Sequence, residues 1–432
     1  MEKLYHYVWK HRIGLHAGMT TTDGRQVDVI DPGLHNSDAG PDFFNAKVKI
    51  DGETWVGNVE IHSNASEWYT HGHDSDPAYD NVILHVIGNN NRDDILTHSG
   101  RLLPQLVIDV PDGIRSNYKE LLYTDSYPPC YKVIPNLSRL MVHSWMAALQ
   151  TERLQQKTEA ILERLERLDG NWEAAYFATL ARTYGFGKNG DALEQWACSI
   201  PIHAIDHHRD DLLQLEALFF GQAGMLNVAA VPERMKLETA ADTYFQRLQQ
   251  EYEYLRHKFR LTPIDPRGWQ FMRMRPQNFP SIRIAQLARL HHESRAQLSR
   301  LLECDNIDKL KELLRCGVSE YWQTHYTFGH ESTANKKMLS AQSINVLMIN
   351  TAIPMLFAYG RHNCHEKYCQ KAFDLLEQLK AEDNNIVRLW QEVGLSVENA
   401  GDTQALIQLK KQYCDRRDCL SCRFGYEYLK NK

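Results

Sequence analysis

The sequence lacks the features that identify membrane-spanning, exported or repeat proteins. No apolar run approaches the length of a membrane-spanning helix, and there is no internal repeat and no low-complexity segment. The N-terminal stretch MEKLYHYVWKHRIGL is interrupted by charges and has no apolar core like that of a signal peptide. We therefore expect a cytoplasmic protein without a membrane partner.

The sequence also lacks an excess of positive charge. Lysine and arginine number 49 against 55 aspartates and glutamates, which gives a formal net charge of −6. The surface as a whole would not attract a polyanion, so any nucleic-acid-binding surface must be local. The nine cysteines are an odd number in a chain of 432 residues without an export signal, which favours reduced thiols over disulfides.

The stretch GPDFFNAKVKIDGETWVGNVEIH, residues 40–62, contains the candidate catalytic residues. Two strand-like runs flank an Asp-Gly pair, which is a strong hairpin signal. Because side chains alternate along a strand, Glu60 and His62 share a face that can look back at Asp42. Two carboxylates and a nitrogen base at one sheet edge could hold a divalent metal and its water.

The polar loop SEWYTHGHDSDPAYD adds further candidate metal ligands. His71 and His73 form a His-x-His pair near several aspartates, a combination that binds metals, although histidines in a polar loop are more commonly just solvated. His85, in the next apolar run, is more typical of a buried core histidine than of a ligand. We predict that magnesium or manganese is bound by Asp42, Glu60, His71 and His73.

This pattern resembles the PD-(D/E)XK nuclease superfamily, in which a Pro-Asp and a Glu-x-Lys on the following strand bind magnesium and orient the attacking water. Pro41-Asp42 and Glu60-Ile61 match the pattern, and His62 stands at the lysine position. A neutral histidine can accept a proton or bind a metal, but it lacks the constant charge of lysine. The resemblance implies a restriction-nuclease-like domain with Asp42, Glu60 and His62 as catalytic residues. The alternative is a polar strand edge in an ordinary α+β domain.

A second resemblance covers nearly the whole chain. The runs GPDFFNAKVKI, WVGNVEIHSNASEWYTHGH, AYDNVILHVI, RMRPQNFPSIRIAQLA and YCDRRDCLSC are similar to those of a bacterial family known as domain-of-unknown-function family 2851. That family implies an architecture and no established activity.

The periodicity of the apolar residues predicts an α+β fold with two domains. Residues 1–130 are expected to form the PD-(D/E)XK nuclease-like mixed-sheet domain, with an opening helix, a short helix at 66–69 and further strands at 81–87 and 101–110. Residues 131–432 are expected to form an all-helical domain with a C-terminal cysteine site. The predicted helices are 138–168, 171–184, 210–220, 241–261, 282–302, 307–314, 340–359, 367–379 and 403–413. The run GFGKNG lacks the spacing of a phosphate loop and predicts a turn between helices.

The run RMRPQNFPSIR is the candidate nucleic-acid-binding segment. Its arginines flank a proline-restricted loop that enters a helix, and both arginine forks and helix N-termini suit phosphate. Neighbouring aromatic residues could stack on bases, and DNA is favoured over RNA. The residues predicted to bind are Arg273, Arg275, Asn278 and Arg283. The alternative is a loop whose arginines pin the two domains together through carboxylates.

Three cysteines lie close together near the C-terminus, with four and then two intervening residues. Cys414, Cys419 and Cys422 could bind zinc, the first choice, or an iron–sulfur cluster. The predicted structural site adds Cys364, while a different fourth ligand remains open among Cys369, Cys130 and His365. Buried free thiols are the alternative.

Taken together, these patterns predict a metal-dependent nuclease, or a nuclease-derived nucleic-acid-binding protein, that hydrolyses phosphodiester bonds. The rival prediction is a non-catalytic interaction or scaffold protein that retains a degenerate nuclease fold.

Overall fold

A computed structural model describes residues 1–36 and 38–430 of the chain. Its contacts divide the chain into two units. Unit 1 comprises Met1–Val142, Arg388–Leu395 and the chain from Leu409 onwards, and unit 2 comprises His143–Val387 and Ser396–Gln408. The chain thus combines an N-terminal mixed sheet with a helical region, as predicted. The units differ from the predicted division, because unit 1 extends to Val142 instead of ending at residue 130. It also includes Arg388–Leu395 and the cysteine-bearing C-terminal segment.

Unit 1 is built on a sheet of seven strands within the described residues. The strands are β1 Met19–Thr20, β2 Gln26–Asp31, β3 Leu34–His35, β4 Phe43–Ile50, β5 Glu53–Asn64, β6 Val82–Asn89 and β7 Gln105–Val107. Their spatial order is β1-β2-β4-β5-β6-β7, with β3 paired to β4. The pairs from β1 to β5 are antiparallel, whereas β5, β6 and β7 run parallel.

The hairpin of β4 and β5 positions the candidate site. Asp51 and Gly52 have φ angles of 46° and 88°, the left-handed pair that a tight hairpin turn requires. In β5, Val59 and Ile61 are buried, and so are Glu60 and His62 on the alternate face. Both faces of β5 are therefore covered over residues 59–62, so the polar side chains of Glu60 and His62 are buried there.

Three helices belong to the N-terminal part of unit 1: α1 Glu2–Lys10, α2 Glu67–Thr70 and α3 Asp112–Tyr123. The amphipathic opening helix and the short helix near residue 66 were both predicted. The strand pair expected over 101–110 is reduced to β7 and an isolated bridge between Leu96 and Leu102. Pro104 interrupts it, since proline has no backbone N–H for the ladder.

The remaining chain is helical. Its helices are α4 Arg139–Arg167, α5 Trp172–Tyr184, α6 Gly190–Cys198, α7 Ile202–His208, α8 Leu212–Gln222, α9 Lys236–Ala241, α10 Thr243–Phe259, α11 Pro280–His292, α12 Leu298–Glu303, α13 Ile307–Leu314, α14 Glu320–Thr324, α15 Ala341–Leu347, α16 Ile353–His362, α17 Glu366–Gln378, α18 Asn385–Glu392, α19 Ala400–Gln408 and α20 Arg423–Lys430. Strands β8 His325–Thr327 and β9 His330–Glu331 form a small hairpin. Two π-helical segments, Met348–Ala352 and Leu409–Cys414, continue α15 and α19. Short 3₁₀ turns are Pro77–Tyr79, Ile134–Asn136, Val228–Ala230, Glu233–Met235, Pro266–Gly268 and Pro276–Asn278.

Most of the predicted helices match this set, and one does not. The single helix expected over 282–302 is two helices, because Ser294 adopts a left-handed φ of 55° after α11 and the chain re-enters a helix only at Leu298. The GFGKNG run is the turn between α5 and α6, as predicted. The helices that were not predicted are α3, α6, α7, α9, α14, α18 and α20.

One continuous helical stretch, Ala341–His362, is long and apolar enough to span a membrane by length and composition alone. The prediction that no run approaches that length was therefore wrong. About two thirds of its most apolar window (67%) is buried, and Met355 and Leu356 are inaccessible to solvent. This stretch thus packs as a core helix of unit 2.

The C-terminal segment is tied to α3 by side-chain hydrogen bonds to backbone carbonyls. Arg417 donates to the carbonyls of Leu121 and Thr124 at 3.1 and 3.0 Å. Asn117 Nδ2 lies 3.3 Å from the carbonyls of both Tyr428 and Leu429. These bonds explain why the last residues belong with the sheet rather than with the helical unit.

Candidate functional site

Asp42 and Glu60 are joined across the edge of the β4–β5 hairpin. The backbone N–H of Asp42 donates to Glu60 Oε2 at 3.1 Å, and the N–H of Ile61 donates to Asp42 Oδ2 at 2.9 Å. Each carboxylate therefore accepts a backbone hydrogen bond from the partner strand. This reciprocal pair fixes both carboxylates at one place on the sheet.

His62 lies on the same face of β5 as Glu60, as strand alternation predicts. Its Nε2 is 3.7 Å from Glu60 Oε1, and only 1% of its side chain is exposed. Its other nitrogen, Nδ1, is 2.9 Å from Nε2 of His85 on β6. The parallel pairing of β5 with β6 places Glu60 opposite His85, and this register brings His85 next to His62.

The loop after α2 brings two more histidines to the same place. His73 Nε2 lies 3.2 Å from Glu60 Oε1, and its ring stacks on Tyr79 with centroids 3.9 Å apart. His71 Nδ1 lies 3.1 Å from His62 Nε2. Within the described chain, one group of three ligand-type side chains has all its ligand atoms within 4.8 Å of one another, and it consists of His62, His71 and His73.

These separations are compatible with ligands of a single metal ion. Two nitrogens bound to one zinc at about 2.0–2.1 Å lie about 2.9–3.4 Å apart, depending on the bond angle. The contact between His62 and His71, at 3.1 Å, falls in that interval, as does the contact between His73 and Glu60, at 3.2 Å. The residues present therefore fit a metal held by imidazole nitrogens and a carboxylate oxygen.

Burial decides the protonation of this cluster. Burial, together with the neighbouring histidines, lowers the pKa of His62 to about 2. Burial is also the main cause that lowers the pKa of His85 to about 3. Burial and the charge of Asp42 raise the pKa of Glu60 despite a hydrogen bond to His73. His62 and His85 are thus neutral imidazoles close to buried Glu60, an environment that favours a bound cation.

His6 is a site residue that the sequence did not reveal. It lies on α1, and its Nε2 is 3.3 Å from Asp42 Oδ2. Burial lowers its pKa, but the hydrogen bond and charge of Asp42, with the charges of Glu2 and Glu60, raise it overall. The helical periodicity of α1 predicts which of its residues face the core. It gives no information about a contact with Asp42, which lies 36 residues later in the chain.

The aspartates of the polar loop serve its folding instead. Asp76 accepts a hydrogen bond from the N–H of Ala78 at 2.9 Å and caps a short turn. Asp80 accepts one from the N–H of Ser99 at 2.9 Å. Of the loop's polar residues, the two histidines are the ones that reach Glu60 and His62.

The arginine-rich segment lies in unit 2 and divides into two kinds of residue. Arg283 is only 5% exposed; it donates to Asn278 Oδ1 at 2.7 Å and to Gln286 Oε1 at 2.8 Å. Arg283 and Asn278 therefore hold the loop together, and Arg283 is too buried for the predicted contact with nucleic acid. Its partners are amides, so the alternative of carboxylate pinning does not describe it either. Arg273 and Arg275 are exposed.

The three C-terminal cysteines are buried in unit 1 together with Cys130. Cys364 is exposed and belongs to unit 2, as does half-buried Cys369. Among the candidate fourth ligands, Cys130 thus shares a unit with the other three, whereas the predicted Cys364 does not. Sequence spacing could not distinguish these candidates, because Cys130 is distant along the chain.

The chain belongs to the DUF2851 family, whose description is "Protein of unknown function"; the family model matches residues 2–385. No curated protein matches the chain, and no solved structure matches it. The family therefore supports the architecture, and the site has to supply the argument for function.

Proposed function

We propose that this DUF2851 protein is a metal-dependent hydrolase of phosphodiester bonds that acts in the cytoplasm. The observation that carries the proposal is the convergence of two strand-fixed carboxylates, Asp42 and Glu60, with three histidine side chains whose ligand nitrogens lie within 4.8 Å of one another. The order Pro-Asp, strand, Glu-x-His follows the PD-(D/E)XK pattern except at its last position, where His62 replaces the lysine.

The donor set bears on which metal would bind. Imidazole nitrogens suit zinc and other transition metals, whereas magnesium prefers an all-oxygen shell with several waters. A site with His62, His71, His73 and Glu60 as ligands therefore favours manganese or zinc over magnesium. Such a metal, when bound, polarises a phosphoryl oxygen and lowers the pKa of its water.

The side chains of the site have distinct roles in binding the metal and in orienting its ligands. His62, with a pKa of about 2, is too weak a base to take a proton from water, which favours metal binding among the roles that the sequence left open. His85 orients His62 through the contact at Nδ1, and His6 holds Asp42 from α1. His71 is exposed, so substrate would approach the cluster from its side.

The test is hydrolysis by the purified protein after chelation and reloading with manganese, zinc or magnesium. Substrates are labelled single-stranded DNA, duplex DNA, RNA and a chromogenic phosphodiester. We expect cleavage with manganese or zinc that Glu60→Gln abolishes. Glu53→Gln is the matched control, because Glu53 is exposed on the same strand and should leave activity unchanged.

Nucleic acid, with DNA favoured over RNA, remains the proposed substrate. Arg273 and Arg275 support this, because both residues are exposed and their guanidinium groups can therefore contact phosphates. The double variant Arg273→Ala with Arg275→Ala should weaken DNA binding and reduce its salt dependence. Hydrolysis of the chromogenic substrate should be unaffected, which separates binding from chemistry.

The second candidate is a non-catalytic interaction or scaffold protein. It is favoured by the neutral state of His62, which leaves the site without the permanent charge of a lysine. Tight metal binding with no cleavage of any of these substrates would support this candidate and reject the hydrolase.

A further inference from the structure

Unit 2 contains a mainly apolar cavity of about 380 Å³. It lies between the 3₁₀ turns Val228–Ala230 and Glu233–Met235, the loop that joins α10 to α11, and the turn after β8. Every residue that lines it falls within His143–Val387, so the cavity belongs to one unit. Small-molecule sites typically have volumes of about 300–1,000 Å³, so this cavity is large enough for a small ligand.

Aromatic rings and methionine side chains form most of the lining. Phe271 and Phe279 pack edge to face with ring centroids 5.2 Å apart. The methionines are Met225, Met235 and Met272, and Met272 is 84% exposed. Because methionine is flexible and polarisable, such a lining can adapt its shape to an apolar ligand.

The polar atoms of the lining leave few hydrogen-bond donors for a ligand. Two of its three hydroxyl groups already donate to backbone carbonyls, that of Thr239 at 3.3 Å and that of Ser281 at 2.6 Å. The indole N–H of buried Trp269 donates to a third carbonyl at 2.8 Å. Apart from the Thr327 hydroxyl, the side-chain donors available to a ligand are therefore those of Arg234.

Arg234 is the one charged residue of the lining, and it is exposed. Within the described residues its side chain forms no ion pair, whereas neighbouring Lys236 pairs with Glu233 at 2.6 Å. A guanidinium group without a counter-charge beside an apolar cavity complements a ligand with an apolar body and a carboxylate at one end. A nucleobase fits less well, because its ring donors and acceptors would lose their hydrogen bonds against an apolar lining.

We propose that this cavity binds a free aliphatic monocarboxylate, the chemical class of a medium-chain fatty acid. The alkyl chain lies among the aromatic and methionine side chains, and the carboxylate pairs with Arg234. The site is independent of the proposed hydrolase activity and of the proposed DNA contacts. No residue of the histidine cluster lines the cavity, and neither Arg273 nor Arg275 does.

The test is calorimetric titration of the full chain with octanoate, decanoate and the neutral analogue octanol. We expect one carboxylate per chain, with an affinity that rises about fourfold for each added CH₂ group that is buried. Octanol should bind about fivefold more weakly than octanoate, which is the contribution of an exposed ion pair. Equal affinities for octanoate and octanol would overturn the assignment of a carboxylate.

Variants separate the charge from the cavity. Arg234→Gln should weaken octanoate binding about fivefold and leave octanol binding unchanged. Ala230→Trp should abolish the binding of both, because Ala230 is an exposed residue of the lining from which an indole can fill the cavity. Arg300→Gln is the control and should bind normally, since Arg300 is exposed, pairs with Glu303 and lies outside this cavity.

A measurement on the unmodified protein covers the case in which Ala230→Trp fails to fold. In protein labelled with methyl-¹³C methionine, octanoate should shift the nuclear magnetic resonance signals of Met225, Met235 and Met272, which single Met→Leu variants assign. Unshifted signals, or octanoate binding retained in folded Ala230→Trp, would overturn the site. Displacement of octanoate by single-stranded DNA would also overturn it, because the cavity would then belong to a nucleic-acid-binding surface.

Discussion

Two buried glutamates, one in each unit, have opposite surroundings. Glu194 on α6 is 8% exposed and accepts hydrogen bonds from three guanidinium groups at 2.7 to 2.9 Å. These belong to Arg164, Arg167 and Arg182. Glu60 on β5 is 5% exposed and faces His73 at 3.2 Å and His62 at 3.7 Å.

The pKa values follow from these partners. Burial alone would raise the pKa of Glu194, but the three arginines lower it to about 2. Burial raises the pKa of Glu60, and its contact with His73 compensates only in part. A carboxylate whose oxygens are bound by permanently charged guanidinium groups is part of a structural ion pair. A carboxylate that faces imidazoles can still bind a metal ion through its oxygens. The comparison therefore teaches that the partner, rather than the burial, separates a candidate site from a structural ion pair.

The largest expected effect is the loss of catalysis in the Glu60→Gln variant. Even groups that only support a metal ligand cost 10- to 100-fold in affinity or activity, so loss of the ligand itself should cost more than about 100-fold. The metal-free variant should be as stable as the unmodified protein or slightly more so, because the ionised carboxylate is disfavoured by burial. The measurements are phosphodiester hydrolysis and the melting temperature after chelation.

A large loss of metal-free stability in Glu60→Gln would instead show that Glu60 is structural, like Glu194. Retained hydrolysis would remove Glu60 from the catalytic residues altogether.

The second effect is on stability, in Glu194→Gln. Removal of one partner from a buried ion pair typically costs 3–5 kcal/mol, and we expect about 3 kcal/mol because two of its arginines are partly exposed. Metal binding at the histidine cluster should be unaffected. Denaturant unfolding measures the first quantity, and chelator competition measures the second. Asp191→Asn, which removes only an exposed partner of Arg182, is the control with a loss below about 1 kcal/mol.

Acidic pH should reduce the stabilisation that Glu194 provides. The pKa of Glu194 is lower in the folded chain than in the unfolded one, so its stabilisation is present above the ordinary pKa near 4.5 and is lost as the pH falls toward 2. The difference in unfolding free energy between the unmodified protein and Glu194→Gln should therefore shrink by about 2 kcal/mol over that interval. Denaturant unfolding at a series of pH values measures it.

Background acid destabilisation from other groups is shared by both proteins and cancels in that difference. Burial lowers the pKa of His291 to about 3, for example, so both proteins lose stability below the ordinary histidine pKa. A difference that stays constant from neutral pH to pH 3 would contradict the assigned role of the arginines.

The extent to which sequence revealed the site follows from how local each signal is. Strand alternation placed Glu60 and His62 on one face, and an Asp-Gly turn predicted the hairpin that carries them, because both signals span a few residues. His6 and Cys130 depend on tertiary packing between segments far apart in the chain, and no local pattern reports that. The helix expected through Ser294 failed for a related reason, since nothing in the periodicity marks its left-handed backbone.

The smallest effect is expected for His85→Phe, which tests the histidine that contacts Nδ1 of His62. His85 contacts Nδ1 of His62 at 2.9 Å and is fully buried, so phenylalanine fills the space but removes the hydrogen-bond partner that orients the ligand. Metal affinity should fall 10- to 100-fold, while the rate at saturating metal should change much less. His85→Gln, which retains an acceptor oxygen, should recover part of the affinity. His98→Gln is the control, because His98 is exposed and pairs with Asp80 outside the cluster. Equal loss in the Phe and Gln variants, or a loss of rate that excess metal does not restore, would mean that His85 acts through the fold rather than through the orientation of His62.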